Sequence, residues 1–431
     1  MEKRILSLLL VSFLLVTFSV FGGGQKEAAE VEEVKAPEKV TILAWWTVRK
    51  PLMEYSREEV KKFEREHPNI AVELVGMPED AILQKLPGAV KTKTGPDVVY
   101  LDENMVKPMV LGGILKPITS DVYTENEIIE MYGPEVVRYK LGGKYYGFPN
   151  GDMAAVLFYN PEVLKSYGYT ADDIPDTWDA FIPMAQKMTD LDNDLQGFPV
   201  RGKESSMWAA LLSQKGGYIF RSETEAMIAE KPGIEAWQFI HDLYDKYKVA
   251  SRTSLSLTES FGQAKSPFAY NWTWYIGSLL TGSPDLPFET RVLPTFTGKP
   301  PYGSYGPTFG MCVTYTDPKK KDAAWEFWKF AISPEFQKGL CVLRGLAPAR
   351  LEARDPEIFG KSPYKALAKA AANGVSYSFY PAEVEQIFFG TVVDKIMAGE
   401  PIAETLEEGQ REMNEILQKR GKEKVWIMEA P

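Results

Sequence analysis

Histidine and cysteine are almost missing from this 431-residue chain, which has two of each. So few imidazoles and thiols leave no ligand set of the kind that holds zinc or iron, and no cofactor is expected. A basic run interleaved with aromatics is also lacking, and the formal net charge is −10. The phosphate-neutralising surface that nucleic-acid binding needs is therefore not there, and nucleic acid is excluded as a partner. Repeats are absent too. With 45% hydrophobic and 25% charged residues the composition is that of a folded soluble protein, neither disordered nor built of many membrane spans.

One long apolar run exists, and it lies at the start. Lys3 and Arg4 precede residues 5–21, which are apolar or hydroxyl-bearing and end in three glycines at 22–24. A helix of that length rises about 25 Å, short of the roughly 30 Å hydrocarbon core, so residues 1–24 read as a secretory signal and Gln25 as the mature start. Residues 25–39 have no periodic apolar face and read as a solvated tether. The expected location is exported, periplasmic or attached to the cell surface. In an oxidising compartment Cys312 and Cys341 are either a disulfide or two small buried hydrophobes.

What the chain has in abundance is aromatic: 22 Phe, 21 Tyr and 10 Trp. The length suits two domains. Residues 40–45 form a continuous apolar run, 52–66 carry Tyr55, Val60 and Phe63 on one helical face, and Ile70, Val72 and Leu74 alternate. A helical stretch to about Lys93 then leads to a strand at 97–102. This βαβαβ succession predicts an open α/β sheet with a ligand crevice beyond the carboxyl ends of its strands, where Trp45, Trp46, Asp102 and Glu103 fall. Breaker-rich segments at 142–151, 293–301 and 345–350 mark three chain crossings. Between them the pattern predicts a strand at 154–159, a helix to about Met188 capped by Asp176 or Thr177, and a core-facing helix bearing Ala324, Phe327, Trp328 and Ala331. Asp190, Asp192 and Asp194 lack the glycine and glutamate of a calcium loop and read as a polar turn. Two amphipathic helices close the chain, with Val384, Ile387, Phe388 and Val392, then Ile402, Leu406, Met413 and Leu417, turned inward.

Several segments carry a resemblance. GGKYYGFP (142–149), LFYNPEVLKSYGY (157–169), IPDTWDAF (174–181), FAYNWTWYIG (268–277), VLPTF (292–296) and AWEFWKFAISPEFQ (324–337) followed by GLAPAR (345–350) stand in one order and spacing. In these the chain, from about Val40 to Arg420, resembles the extracellular solute-binding proteins of family 1, the carbohydrate receptors of ABC importers, maltodextrin-binding proteins among them. The resemblance implies a two-lobe α/β fold of the type II periplasmic-binding kind with the sugar in the cleft between lobes. The first lobe would be 40–149 plus 296–347 and the second 150–295 plus 348–431. It implies a monomer that delivers a carbohydrate to ABC-importer permease subunits by hinge closure, and no catalysis.

A sugar offers an apolar C–H face and a rim of hydroxyls, so its binder needs flat aromatics and charged or amide side chains. Charge-assisted hydrogen bonds contribute roughly 1.5–3 kcal/mol each, and a buried ring removes about 150–250 Å² from water. The candidate platforms are Trp45, Trp46, Trp208, Trp272, Trp274, Tyr377 and Tyr380; the candidate hydroxyl partners are Asp102, Glu103, Asp152 and Arg344. Trp208, Trp272, Trp274, Tyr377, Tyr380 and Asp152 rest on positions where the resemblance implies sugar contacts. Tyr275, Trp325 and Trp328 are assigned to the core. The same fold holding a non-sugar solute is the main alternative, with a secreted carbohydrate-active enzyme and a ferric receptor using Tyr145 and Tyr146 behind it; no carboxylate pair shows a reason for tuned pKa values.

Overall fold

The computed structural model describes residues 39–133, 136, 139–200, 205–222, 224–252, 255–307, 309–374 and 382–420. The signal segment, nearly all of the tether and the tyrosines at 377 and 380 lie outside the described residues. No helix among those described is long and apolar enough to cross a membrane.

The chain opens with β1 (Val40–Thr47), α1 (Lys50–Glu66), β2 (Ile70–Met77), α2 (Glu79–Lys91), β3 (Val98–Leu101) and α3 (Glu103–Leu111). β1 pairs in parallel with both β2 and β3, the arrangement expected of βαβαβ. Helix α1 starts with Pro51 in its first turn, buries Leu52, Met53, Val60 and Phe63 on one face, and stops at His67 before Pro68. Next come α4 (Glu125–Tyr132), β4 (Gly147–Pro149) and, after a single residue, β5 (Gly151–Tyr159). Here the chain changes sheets.

β5 is the spine of the second sheet. Following α5 (Trp178–Lys187), α6 (Ser205–Gln214) and α7 (Lys231–Asp245), β6 (Phe268–Trp272) and β7 (Glu289–Arg291) pair antiparallel with β5. Helix α8 (Trp274–Gly282) lies between those two strands in sequence. β8 (Tyr305–Pro307) also pairs with β5. The chain then returns to the first sheet as β9 (Gly310–Val313), antiparallel to β3 and β4. The chain therefore passes from the second sheet to the first between the end of β8 and the start of β9, after the breaker-rich segment at 293–301. Helices α9 (Lys321–Ala331) and α10 (Pro334–Arg344) cover the first sheet, and β10 (Ala347–Pro348) crosses back to pair with the start of β5. Ala324, Phe327, Trp328 and Ala331 of α9 are fully buried as their spacing predicts, and Trp328 Nε1 donates to the Met311 carbonyl at 2.8 Å.

At the third crossing Gly345 has φ of 70°, and a Cβ there would lie 2.2 Å from the Thr273 carbonyl. Only glycine allows α10 to end against α8. Gly277 answers from the other side, where a Cβ would lie 2.3 Å from the Leu343 carbonyl.

Several local expectations change. Thr177 stands at the N-cap of α5 but makes no capping bond, and Asp176 instead pairs with Arg291 at 2.6 Å. The aspartates at 190–194 form a short 3₁₀ turn closed by Asn193 donating to Asp190. α11 (Lys365–Ala372) precedes the undescribed segment, and the first of the two expected closing helices is built as α12 (Ala382–Gln386), a π-helical turn (Ile387–Val392) and α13 (Val393–Met397). That wider turn brings Val384, Phe388, Val392, Val393 and Ile396 together into the core. Ile387 stays partly exposed. The last helix, α14 (Ile402–Arg420), buries Leu406, Met413 and Leu417 as expected, while Ile402 is half-buried. Cys312 and Cys341 are both free and buried, so the disulfide does not form. Burial pushes both thiols far up, and they behave as small core residues.

Candidate functional site

The geometry of the two sheets brings two strand edges to one place. β1 and β3 run parallel and end at Thr47 and Leu101; β9 begins opposite Leu101, and β4 ends opposite Gly310. β5 starts after a single further residue, and β6, antiparallel to it, ends with Trp272 opposite Ala155, midway along β5.

On the first edge Asp102 and Glu103 are half-buried. Glu103 opens α3, where the positive helix end favours a carboxylate. Together with burial, these two acids push the Tyr139 hydroxyl well up. On the second edge Trp272 is half-buried and packs against the core that holds Trp208 and Phe388. Trp274 is half-buried at the start of α8, edge-on to Tyr275 with ring centroids 6.1 Å apart. Glu385 of α12 joins them from the same side. Its carboxyl is held above the usual range first by burial and then by the negative charge of Asp102.

Five expected contacts sit elsewhere. Strand alternation sends Trp45 and Trp46 to opposite faces of the first sheet, so they cannot form one platform. Trp46 is fully buried, stacked on Tyr100 at 5.1 Å and edge-on to Phe336 at 5.8 Å. Trp45 is 6% exposed among Leu101, Val106 and Met109. Trp208 is fully buried, 4.7 Å from Phe388, with its Nε1 donating to the Gly233 carbonyl at 3.0 Å. It presents no face to a ligand. Arg344 is buried at the end of α10, where it donates to the Tyr100 hydroxyl and lies over the Phe309 ring at 5.1 Å. Asp152 is buried beside the crossings in a separate cavity, paired with Arg354 at 2.9 Å.

The sequence reading thus missed Glu385, although a signal was present: a carboxylate flanked by the inward residues Val384 and Phe388 has to face something. No cluster of His, Cys, Asp and Glu able to hold a metal occurs among the described residues.

The family model for bacterial extracellular solute-binding proteins matches residues 47–338, more than half of the chain. The chain belongs to that family. Its relatives include an arabinooligosaccharide-binding protein of Halalkalibacterium halodurans, 22% identical, covering 84% of this chain and 85% of the relative. A diacetylchitobiose-binding protein of Streptomyces coelicolor is 21% identical over 97% of this chain and 99% of its own. Among solved structures, maltose-bound MalE3 of T. maritima superposes with a TM-score of 0.75 at 22% identity, over 88% of this chain and all of that one. The two-lobe solute-binding fold is thereby established for this chain.

Proposed function

We propose that this protein captures a neutral oligosaccharide outside the cytoplasm and hands it unaltered to the permease subunits of an ABC importer. The observation that carries this reading is the half-buried indole of Trp272 at the end of the second sheet, together with the half-buried carboxylates of Asp102 after the first sheet's β3 and of Glu385, whose titration feels the Asp102 charge. A sugar ring laid on the indole removes its C–H face from water, and its hydroxyls donate to the carboxylates. Trp274 and Glu103 extend the same two surfaces, and Tyr377 and Tyr380 are proposed as further platforms. The relatives named above bind arabinooligosaccharide and diacetylchitobiose, which supports a carbohydrate cargo and a binding rather than catalytic role. Export by the apolar segment at 5–21 accords with membership in an extracellular family.

The lobes are proposed to be 40–149 plus 310–347, and 150–307 plus 348–431, hinged where the sheets exchange strands at 149–151, between β8 and β9, and at 345–347. A ligand that grips both lobes favours the closed form because only there does it touch both. The protein is expected to act as a monomer. Thermal-shift screening of the purified mature chain against neutral mono- and oligosaccharides tests the reading, since a ligand at 100 times its dissociation constant stabilises by about 2.7 kcal/mol. Chromatography of the recovered glycan tests the absence of cleavage.

A further inference from the structure

A second cavity lies beside the crossings and shares no residue with the cleft described above. Its volume is about 590 Å³, within the range of roughly 300–1,000 Å³ typical of small-molecule sites. Asp152, Tyr305 and Ala347, one from each crossing strand, contribute to it, and the remaining wall comes from α4 on one side and residues 351–371 on the other.

The chemistry of its lining is uneven. Tyr132, Tyr305, Phe359 and Tyr364 present rings that are each at least nine-tenths buried. Two of the phenol groups are turned away: the Tyr132 hydroxyl accepts from Gln337 at 3.3 Å, and that of Tyr364 donates to the Val342 carbonyl at 2.9 Å. These two rings therefore serve the cavity as apolar surfaces. The charge is concentrated in one place. Arg354 donates through Nε to the Pro348 carbonyl at 2.8 Å and through Nη2 to Asp152 at 2.9 Å, and its side chain remains 41% exposed. A guanidinium carries five N–H groups, so the remaining ones, including both on Nη1, are available beside a carboxylate that accepts. Because the ion pair is neutral as a unit, a charged ligand would add an unbalanced charge, whereas a neutral molecule with vicinal hydroxyls can accept from Arg354 and donate to Asp152.

We propose that this cavity is a second ligand site that takes a neutral cyclic polyol of single-ring size, seated between the aromatic walls with its hydroxyls on the Asp152–Arg354 pair. The site is independent of the carbohydrate reading of the cleft, since its lining contains none of Asp102, Trp272, Trp274 and Glu385. A ligand of about a dozen heavy atoms is expected to bind with a dissociation constant on the order of millimolar.

The test uses myo-inositol as the probe and saturation-transfer NMR on the full mature chain. Three variants accompany the wild type. The pair Asp102→Ala/Trp272→Ala disables the cleft; Leu351→Trp, at a position 44% exposed on the cavity wall, plugs the cavity from a surface where folding tolerates change; Arg354→Gln removes the charged donors. The expected result is saturable transfer in the wild type and in the cleft variant, its loss in Leu351→Trp, and binding weakened about tenfold or more in Arg354→Gln. Circular dichroism melts confirm that each variant is folded. No saturable transfer in the wild type overturns the proposal. So does transfer that survives in Leu351→Trp and disappears in the cleft variant, because the polyol then sits in the cleft.

Discussion

Arg344 Nη1 donates to the Tyr100 hydroxyl at 2.6 Å, and the Tyr100 ring is itself stacked between Trp46 at 5.1 Å and Phe309 at 4.9 Å. One cation at the end of α10 thus ties together β1, β3 and the second crossing. Burial pushes the Tyr100 hydroxyl up while Arg344 opposes the shift, so the phenol stays protonated and accepts the guanidinium's hydrogen bond as a neutral group. Arg344→Ala leaves that hydroxyl buried without its donor and empties the space over Phe309. The expected loss is about 2–3 kcal/mol of unfolding free energy in urea, with oligosaccharide affinity changed far less.

Trp272 and Trp208 should behave as opposites. Trp272→Ala removes a half-exposed ring and should weaken oligosaccharide binding by about 1–3 kcal/mol while the melting temperature stays close to wild type. Trp208→Ala hollows a fully buried site and should cost roughly 3–5 kcal/mol of stability. Calorimetric titration and thermal melts on the same two proteins separate the roles.

The reason Trp208 and Trp272 looked alike in sequence is instructive. Both stand at positions where the resemblance implies sugar contacts, and such a position marks a neighbourhood without saying which side of a ring faces water. Apolar runs and helical periodicity made the βαβαβ half and the inward face of α9 readable, because those depend on local spacing. The sheet exchange at Tyr305–Pro307 was unreadable, since β8 is three residues long and is defined by its partner β5. Trp45 and Trp46 could have been separated from the start, as neighbours on a strand must point to opposite faces. Asp152 was placed at the right crossing, but its pairing with Arg354, 202 residues away, is a tertiary fact.

Glu385 gives the stability a pH dependence whose sign is fixed. Its carboxyl titrates higher in the folded protein than in the unfolded chain, so the folded state binds more protons between those two values. Stability contributed at this site therefore falls as pH rises from the ordinary carboxylate range through the raised value, and is level above it. Glu385→Gln should remove that slope and make the ligand-free protein more stable than wild type at neutral pH. Urea midpoints measured from acid to neutral pH for both proteins check the difference; parallel curves would detach Glu385 from Asp102.

Closure is read by solution scattering. If the lobes move about the crossings, saturation with the sugar found by screening should lower the radius of gyration, and Gly345→Val should destabilise the protein because its Cβ meets the Thr273 carbonyl. An unchanged radius would indicate a rigid, preformed cleft.

The central claim is that a neutral oligosaccharide is held between the Trp272 surface of one lobe and the Asp102 surface of the other. Isothermal titration of the mature chain with the sugar selected by screening, repeated on Trp272→Ala and on Asp102→Ala, tests it most directly. The account predicts saturable one-to-one binding, about micromolar in strength, that each single substitution weakens tenfold or more. Binding of undiminished strength in both variants would contradict it.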